Sequence, residues 1–356
     1  MNPLVSVVIT NYNYAQFLPE SIESALSQRY HPLEVLVIDD GSTDHSRQIL
    51  EQYAATGKVR VIYQENQGQA LAFQRGVAEA NGEYLVFLDA DDILLPDAVA
   101  ECMAVADPQI SRIQFFLRCV DSDRRPLGWS VPEQMPKQRN VRPLLLQRGG
   151  YPAPPTSGNV WSRRFLEQVF PLRHSFGKLC ADAYLAWLAP FFGDVVSVPR
   201  VLGEYRIHLA NKFAQADSLT NPAKLKNTVM DDFQRTEAIE KVLHDHGIAF
   251  DGEAVLRRNA EHMRRRFLLA QLAPEEYRSI APDRPMPRVW NYVATVLRSP
   301  ELSPSSRLLW AFAGLATALA PPGALKQAVA NRIWNPQYRF RWAQALLQLV
   351  RNRQIA

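Results

Sequence analysis

Apolar positions along the first 210 or so residues alternate between two rhythms. Residues 5–10 form a nearly unbroken apolar run, after which Leu18, Ile22, Ala25 and Leu26 fall on one helical face. The rhythm repeats, predicting strands at 33–38, 59–63 and 84–88 and helices at 43–55 and 68–80. Strands apolar on both faces, joined by helices, predict an α/β domain whose mostly parallel sheet is flanked by helices on both sides. A further strand is expected at 112–120, where Ile113, Phe115, Leu117 and Cys119 recur at every second position. Residues 121–155 are rich in Pro, Arg and Gln and predict a long irregular excursion. Helices return at 162–169 and 181–192, followed by a β-like stretch at 195–205. Beyond about residue 215 the pattern is almost wholly helical, with breaks near Pro274, Pro282, Pro300 and Pro321, so the chain divides into residues 1–214 and a C-terminal helical region, 215–356.

Composition narrows the class. A chain of 356 residues, 47% hydrophobic and 21% charged, has the make-up of a folded protein of about two domains. Its formal charge of +4 is too small, at this length, to imply nucleic acid as the main partner. Cys102, Cys119 and Cys180 are odd in number and far apart, which excludes a close-paired zinc site or redox dithiol and fits reduced thiols in a cytoplasmic protein. The N-terminus has no basic leader segment, and its apolar run is too short for a signal peptide. The uncharged stretch between Arg307 and Lys326 is interrupted by Pro321, Pro322 and Gly323, so a buried or interfacial helix is expected there and not a membrane span.

In open α/β sheets, ligands bind outside the carboxyl ends of the strands. Three such ends carry the polar clusters of this chain: Thr10, Asn11 and Tyr12; Asp39 and Asp40 opening DDGSTD; and Asp89, Asp91 and Asp92 in DADD. Each cluster could serve only as a turn or helix cap, a role compatible with facing a ligand. Three carboxylates within four residues repel one another unless a cation sits among them. Mg or Mn shared with substrate phosphates is the usual such arrangement. Neither GxxxxGK[ST] nor GxGxxG follows a strand, which argues against a P-loop kinase and a dinucleotide-dependent dehydrogenase.

The segments VSVVITNYNYAQFLPESIESALSQRY, EVLVIDDGSTDHS, ENQGQALAFQRGVAEANGEYLVFLDADD and CADAYLAWLAP together resemble family 2 glycosyltransferases of the GT-A fold, over about residues 3–212. The resemblance implies a Rossmann-like nucleotide-diphospho-sugar transferase domain. It implies that Tyr12 stacks on the base, that Thr10 and Asp40 bond its edge, and that Asn11 and Asp39 lie in the nucleoside pocket. Asp89 and Asp91 look like the family's DxD motif, with Asp91 holding a divalent ion, Mn or Mg, on the diphosphate and Asp89 facing ribose or sugar. Asp182 matches the catalytic base that opens a later helix, although Ala181 stands where relatives carry Glu. Tyr205, Arg206 and His208 resemble a YRxH segment whose His approaches the metal. Residues 156–159, TSGN, resemble an acceptor-side loop, and Phe73 and Gln74 replace an Arg and an Asn of many relatives. The implied activity is inverting transfer of a sugar from a nucleotide-sugar donor, a UDP-sugar foremost, to a carbohydrate or lipid-linked hydroxyl, in surface polysaccharide or glycolipid synthesis at the inner face of the membrane. Ala181 and Phe73 keep a non-catalytic nucleotide-sugar-binding scaffold as the alternative.

In the C-terminal region, Arg257, Arg258, Arg264, Arg265 and Arg266 occupy neighbouring helical positions, expected to form a solvated face or to meet an anionic surface. The segment 310–319, with Arg332, Arg339, Arg341, Arg351 and Arg353 and the indoles Trp334 and Trp342, has the aromatic and basic mixture of interfacial helices. All nucleotide and metal motifs precede residue 212. The C-terminal region is therefore expected to face the acceptor or to make peripheral membrane contact.

Overall fold

The computed structural model describes residues 2–171, 181–208, 220–300 and 302–334. Cys180, Arg339, Arg341, Trp342, Arg351 and Arg353 lie outside the described residues. The expected alternation is present: β1 (Val5–Asn11), α1 (Leu18–Leu26), β2 (Leu33–Asp40), α2 (Ser46–Ala55), β3 (Arg60–Gln64), α3 (Gln69–Glu79) and β4 (Tyr84–Asp89). β1 pairs in parallel with both β2 and β4, and β3 lies outside β2. The register sets Thr10 opposite Ile38 and Asp89, and Asn11 opposite Asp39, so the polar residues that close each strand meet at one edge. Their apolar interiors, including Val5, Val7, Ile9, Val35, Val37, Val86 and Leu88, form the core under that edge.

Close approach of α3 to the sheet depends on its side chains. Phe73 is buried and stacks on Phe87, with ring centroids 4.1 Å apart and planes 3° from parallel. A Cβ on Gly76 would stand 2.5 Å from Val8 Cγ1, so glycine is what lets the helix sit this low on the strand. Phe73, the departure from the family pattern, is thus core.

The chain continues through β5 (Ile93–Leu94), α4 (Ala98–Met103), β6 (Ile110–Val120), β7 (Pro126–Val131), α5 (Arg142–Arg148), a 3-10 turn at Thr156–Gly158, β8 (Asn159–Ser162), α6 (Arg163–Val169), α7 (Ala181–Phe192) and β9 (Asp194–Arg206). The strand order is β3-β2-β1-β4-β8-β6-β9-β5, with β7 on β6. Two expectations are corrected here. Residues 121–155 are not irregular throughout, because β7 pairs antiparallel with β6 and α5 follows. β7 is largely exposed on both faces, so it carries no alternating pattern to read. The stretch before residue 162 holds a strand, β8, wedged antiparallel between β4 and β6. With four residues all buried it is too short for periodicity to reveal, and Ser162, which ends it, also caps α6 by accepting from Phe165 N–H.

The fold splits into two compact units: Met1–Leu145, Tyr151–His208 and Gln234–Phe250; and Leu146–Gly150, Leu209–Phe233 and Asp251–Ala356. Helices α8 (Pro222–Asp245), α9 (Gly252–Arg258), α10 (Ala260–Leu272), α11 (Pro274–Ile280), α12 (Val289–Arg298), α13 (Pro304–Leu319) and α14 (Ala324–Trp334) complete the chain. The second unit has its own core around Phe267, Tyr292 and Trp334, with Phe267 and Tyr292 stacked at 5.0 Å.

The arginine run of α10 is not the solvated face expected of it. Arg264 and Arg266 are buried. Arg264 pairs with Glu261 and lies over the rings of Trp310 and Trp334, at 5.2 and 5.5 Å, while Arg266 donates from Nε to Tyr277 Oη at 3.2 Å. Burial would raise the Glu261 pKa, but Arg264 and Arg265 outweigh it and hold the carboxyl down at about 2. Planar guanidinium groups stack on indoles and keep their charge paired, so a run of arginines reads as surface in one dimension and is core in three. Trp334, also expected at an interface, is buried and donates to Thr317 Oγ1 at 3.1 Å. No helix among the described residues is long and apolar enough to cross a membrane.

If Phe73 is structural, Phe73→Ala should lower unfolding stability by about 3–5 kcal/mol, read by urea denaturation, through lost burial and the cavity left against Phe87.

Candidate active site

The ends of β1 and β2 are laced together by short polar side chains. Asn11, buried, donates from Nδ2 to Asp39 Oδ1 at 2.7 Å and to Ser42 Oγ at 3.0 Å. Ser42 in turn donates its hydroxyl to Asp39 Oδ1 at 2.6 Å. Asn13, held in a left-handed conformation at φ 61°, accepts at Oδ1 from Thr43 N–H at 2.7 Å, and Asp44 accepts from Ala15 N–H at 2.9 Å. Asp40 reaches the other way. Its Oδ1 accepts from Gln64 Nε2 and Gln67 N–H at 2.7 and 2.9 Å, and its Oδ2 from Gly68 N–H at 2.8 Å. Asn11, Asp39 and Asp40 therefore shape the loops, while Tyr12 stands 44% exposed beside them and Thr10 is half-buried.

Asp40 is joined to the third cluster through the start of α3, because Gln69, next to Gly68, donates from Nε2 to Asp89 Oδ1 at 2.9 Å. The DADD turn is then fixed from the far side of the fold. Asp92 is buried, accepting from Ser157 Oγ at 2.6 Å and from Arg206 N–H at 2.9 Å, and Asp89 N–H donates to Ser157 Oγ at 3.1 Å. The Arg206 guanidinium donates to Asp91 O at 2.8 Å, to Ser122 O at 2.7 Å and to Glu20 Oε2 at 2.9 Å, and lies 4.6 Å from the ring centre of Phe17. These supports were only partly visible in the sequence. Arg206 and residues 156–159 stood in recognisable segments, whereas Gln69, Gln64 and Glu20 had no signal beyond their polarity.

Negative charge accumulates at this edge. Burial raises the pKa of Asp89, and repulsion from Asp91 and Asp182 raises it further, to about 8. Burial and the fields of Asp91 and Asp89 push Asp92 up as well. Tyr205 is pushed upward by burial and then by the same four carboxylates, Asp182 included, and Tyr14 by burial and then Asp91, Asp89 and Asp92. Asp182 lies in the first turn of α7, where its Oδ1 accepts from Ala183 N–H at 2.7 Å. Asp91 and Asp182 thus both act on Asp89.

His208 completes the set: its Nε2 lies 2.9 Å from Asp91 Oδ2, and its ring packs against Phe17 at 4.7 Å and Tyr14 at 5.7 Å. Oxygen donors in mutual repulsion, with one imidazole in contact, suit a hard divalent cation. Among the described residues no group of three or more His, Cys, Asp or Glu could hold an ion by itself.

Comparison with known proteins bears on this arrangement. A model of the family described as Glycosyl transferase family 2 matches residues 6–167. An uncharacterized glycosyltransferase of Nostoc sp. is 34% identical over 227 residues, spanning 63% of this chain and 70% of that protein. Among solved structures, S. aureus TarS 1–349 in complex with UDP superposes with a TM-score of 0.53 at 14% identity, over 93% of this chain and 90% of the other. The mannosyltransferase PcManGT from Pyrobaculum calidifontis, in complex with GDP-Man and Mn2+, gives 0.51 at 19% identity, over 90% and 88%. At these identities the solved structures establish a shared GT-A fold.

Asp40→Asn tests the lacing directly. An amide presents N–H groups to donors, so the Gln67 and Gly68 N–H groups should exchange with deuterium about 10-fold faster or more, with about 2 kcal/mol of stability lost.

Proposed function

This chain belongs to glycosyl transferase family 2, and we propose that it is an inverting, metal-dependent enzyme that moves a sugar from a nucleoside-diphosphate donor, a UDP-sugar foremost, to a carbohydrate or lipid-linked hydroxyl in surface polysaccharide or glycolipid synthesis. The observation that carries the reading is the contact of His208 Nε2 with Asp91 Oδ2 at 2.9 Å in the acid-rich turn after β4, where the charges of Asp91 and Asp182 both act on Asp89. A fold that needed these carboxylates only as caps would have no reason to set them against one another. The exposed ring of Tyr12 offers a stacking face for a base, half-buried Thr10 an edge contact, and Asp40, which already accepts from Gln64, Gln67 and Gly68, one remaining acceptor position on Oδ2. Asn11 and Asp39 hold that pocket's wall, and Asp89 faces ribose or sugar.

An acceptor hydroxyl has a pKa far above neutral, so it needs a base as its oxygen bonds to the anomeric carbon. Asp182 takes that proton. Attack comes from the face opposite the diphosphate, the bond between anomeric carbon and diphosphate oxygen breaks, and the configuration inverts through an oxocarbenium-like transition state. Asp91 with His208 would hold Mn or Mg, which when bound neutralises charge on the departing diphosphate. The pinning of Asp92 by Ser157 and Arg206 keeps the turn that presents Asp91 in one conformation before ligand arrives, so little ordering remains to be done on binding. Residues 1–214 thus carry donor and chemistry, and residues 215–356 the acceptor or membrane side.

Two variants separate binding from chemistry. Asp91→Ala should abolish the metal-dependent part of nucleoside-diphosphate binding measured by calorimetry, whereas equal affinity with and without Mn in wild type and variant alike would remove Asp91 from the metal site. Asp182→Asn keeps the size of the side chain but cannot accept the proton. Turnover should fall about 100-fold or more while donor affinity changes little, and unchanged turnover with a defined acceptor would exclude Asp182 as the base.

A further inference from the structure

The second compact unit carries an outer surface that its core does not use. In α13, Leu308, Phe312 and Leu319 are 67%, 55% and 83% exposed. Their spacing of four and seven residues places them on one stripe of the helix. The opposite side of α13 is committed to the core, since Gly314 lies against the ring of Tyr292 and Thr317 bonds Trp334. In α12, Trp290 is 69% exposed and shares a stripe, seven residues on, with exposed Leu297, while Tyr292 and Val296 face inward. Large apolar side chains repeated at helical spacing on the outside of a packed unit mark a contact surface.

The charge of the same region says what kind of surface it meets. Between residues 284 and 334 the sequence has six arginines and lysines and one carboxylate, Glu301. Arg288 and Arg298, both exposed, stand at the two ends of α12, bracketing Trp290 and Leu297. Neither α12, α13 nor α14 contains an acidic residue. A second copy of this chain seated on such a face would bring arginines against arginines. An anionic surface with an apolar layer beneath it satisfies both features, because leucine, phenylalanine and tryptophan enter the acyl boundary while guanidinium groups remain among the headgroups.

We propose that the outer stripes of α12 and α13 dock this protein on an anionic phospholipid bilayer, as a peripheral contact that does not cross it. The inference goes beyond the donor chemistry proposed above, and it stands whether or not that chemistry is right. The pairs buried in α10, Arg264 with Glu261 and Arg266 with Tyr277, take no part in it, so the arginines that matter are those of α12.

The test is co-flotation of the full chain with vesicles of phosphatidylcholine alone and of phosphatidylcholine with one quarter phosphatidylglycerol. Wild type should bind the anionic vesicles at least about 10-fold more tightly, and this preference should shrink as NaCl rises. The double variant Leu308→Ser, Phe312→Ser should lose about 10-fold or more of that binding. Arg288→Gln and Arg298→Gln should each lose about fivefold. All of these positions are exposed, so the circular dichroism and the nucleoside-diphosphate affinity of each variant should match wild type. No vesicle binding, equal binding to both compositions, or full binding by the variants would overturn the proposal. A concentration-dependent dimer that the double variant abolishes, with no vesicle binding, would overturn it too and give the face to a second copy.

Discussion

Carboxylates buried at strand ends have to be solvated by the protein itself. A buried carboxyl oxygen left without a hydrogen bond costs about 1–3 kcal/mol, and more when the group is ionised. Asp39, Asp40 and Asp92 are all buried, and each draws its bonds from segments distant in sequence: Asn11 for Asp39, Gln67 and Gly68 for Asp40, Ser157 and Arg206 for Asp92. The need to satisfy these three groups positions the loops after β1, β2, β3 and β4. Rigidity at the binding edge is therefore a by-product of charge burial, and no separate set of interactions has to supply it.

Arg206 is the brace. Its guanidinium donates to Asp91 O, Ser122 O and Glu20 Oε2, and its own N–H goes to Asp92, so one residue of β9 touches α1, the turn after β6 and the acid-rich turn after β4. This guanidinium braces the acid-rich turn through the Asp91 carbonyl and pairs its charge with Glu20, so the carboxyl groups of that turn keep their mutual repulsion. The two arginines buried in α10 use their charge differently, meeting indole and phenol rings and a carboxylate of the same helix. There the charge is spent on packing.

What could be read from the sequence followed from how strongly each element repeats a pattern. β1 to β4 are continuous apolar runs punctuated by helices with one apolar face, and they were legible to within a few residues. β8, with four residues, and β7, exposed on both faces, are shorter or less regular than any window that detects periodicity. The candidate site residues Thr10, Tyr12, Asp39, Asp40, Asp89, Asp91, Asp182 and His208 were picked out by strand ends and family segments. Their supports Gln69, Gln64 and Glu20 were not, because a polar side chain that reaches across the fold leaves no local trace. The α10 arginines misled for a related reason: a one-dimensional charge run does not record which aromatic rings lie opposite.

The reach of Arg206 also orders events in time. β1 to β4 and the loops laced by Asn11, Asp39 and Asp40 are complete once residue 89 has been made, whereas the bond from Arg206 N–H to Asp92 spans 114 residues. At about 5–20 residues per second, a ribosome takes roughly 6–23 s to cover that interval. Until then the acid-rich turn after β4 exists without the residue that braces it, and Arg206 closes an edge that β1 to β4 began.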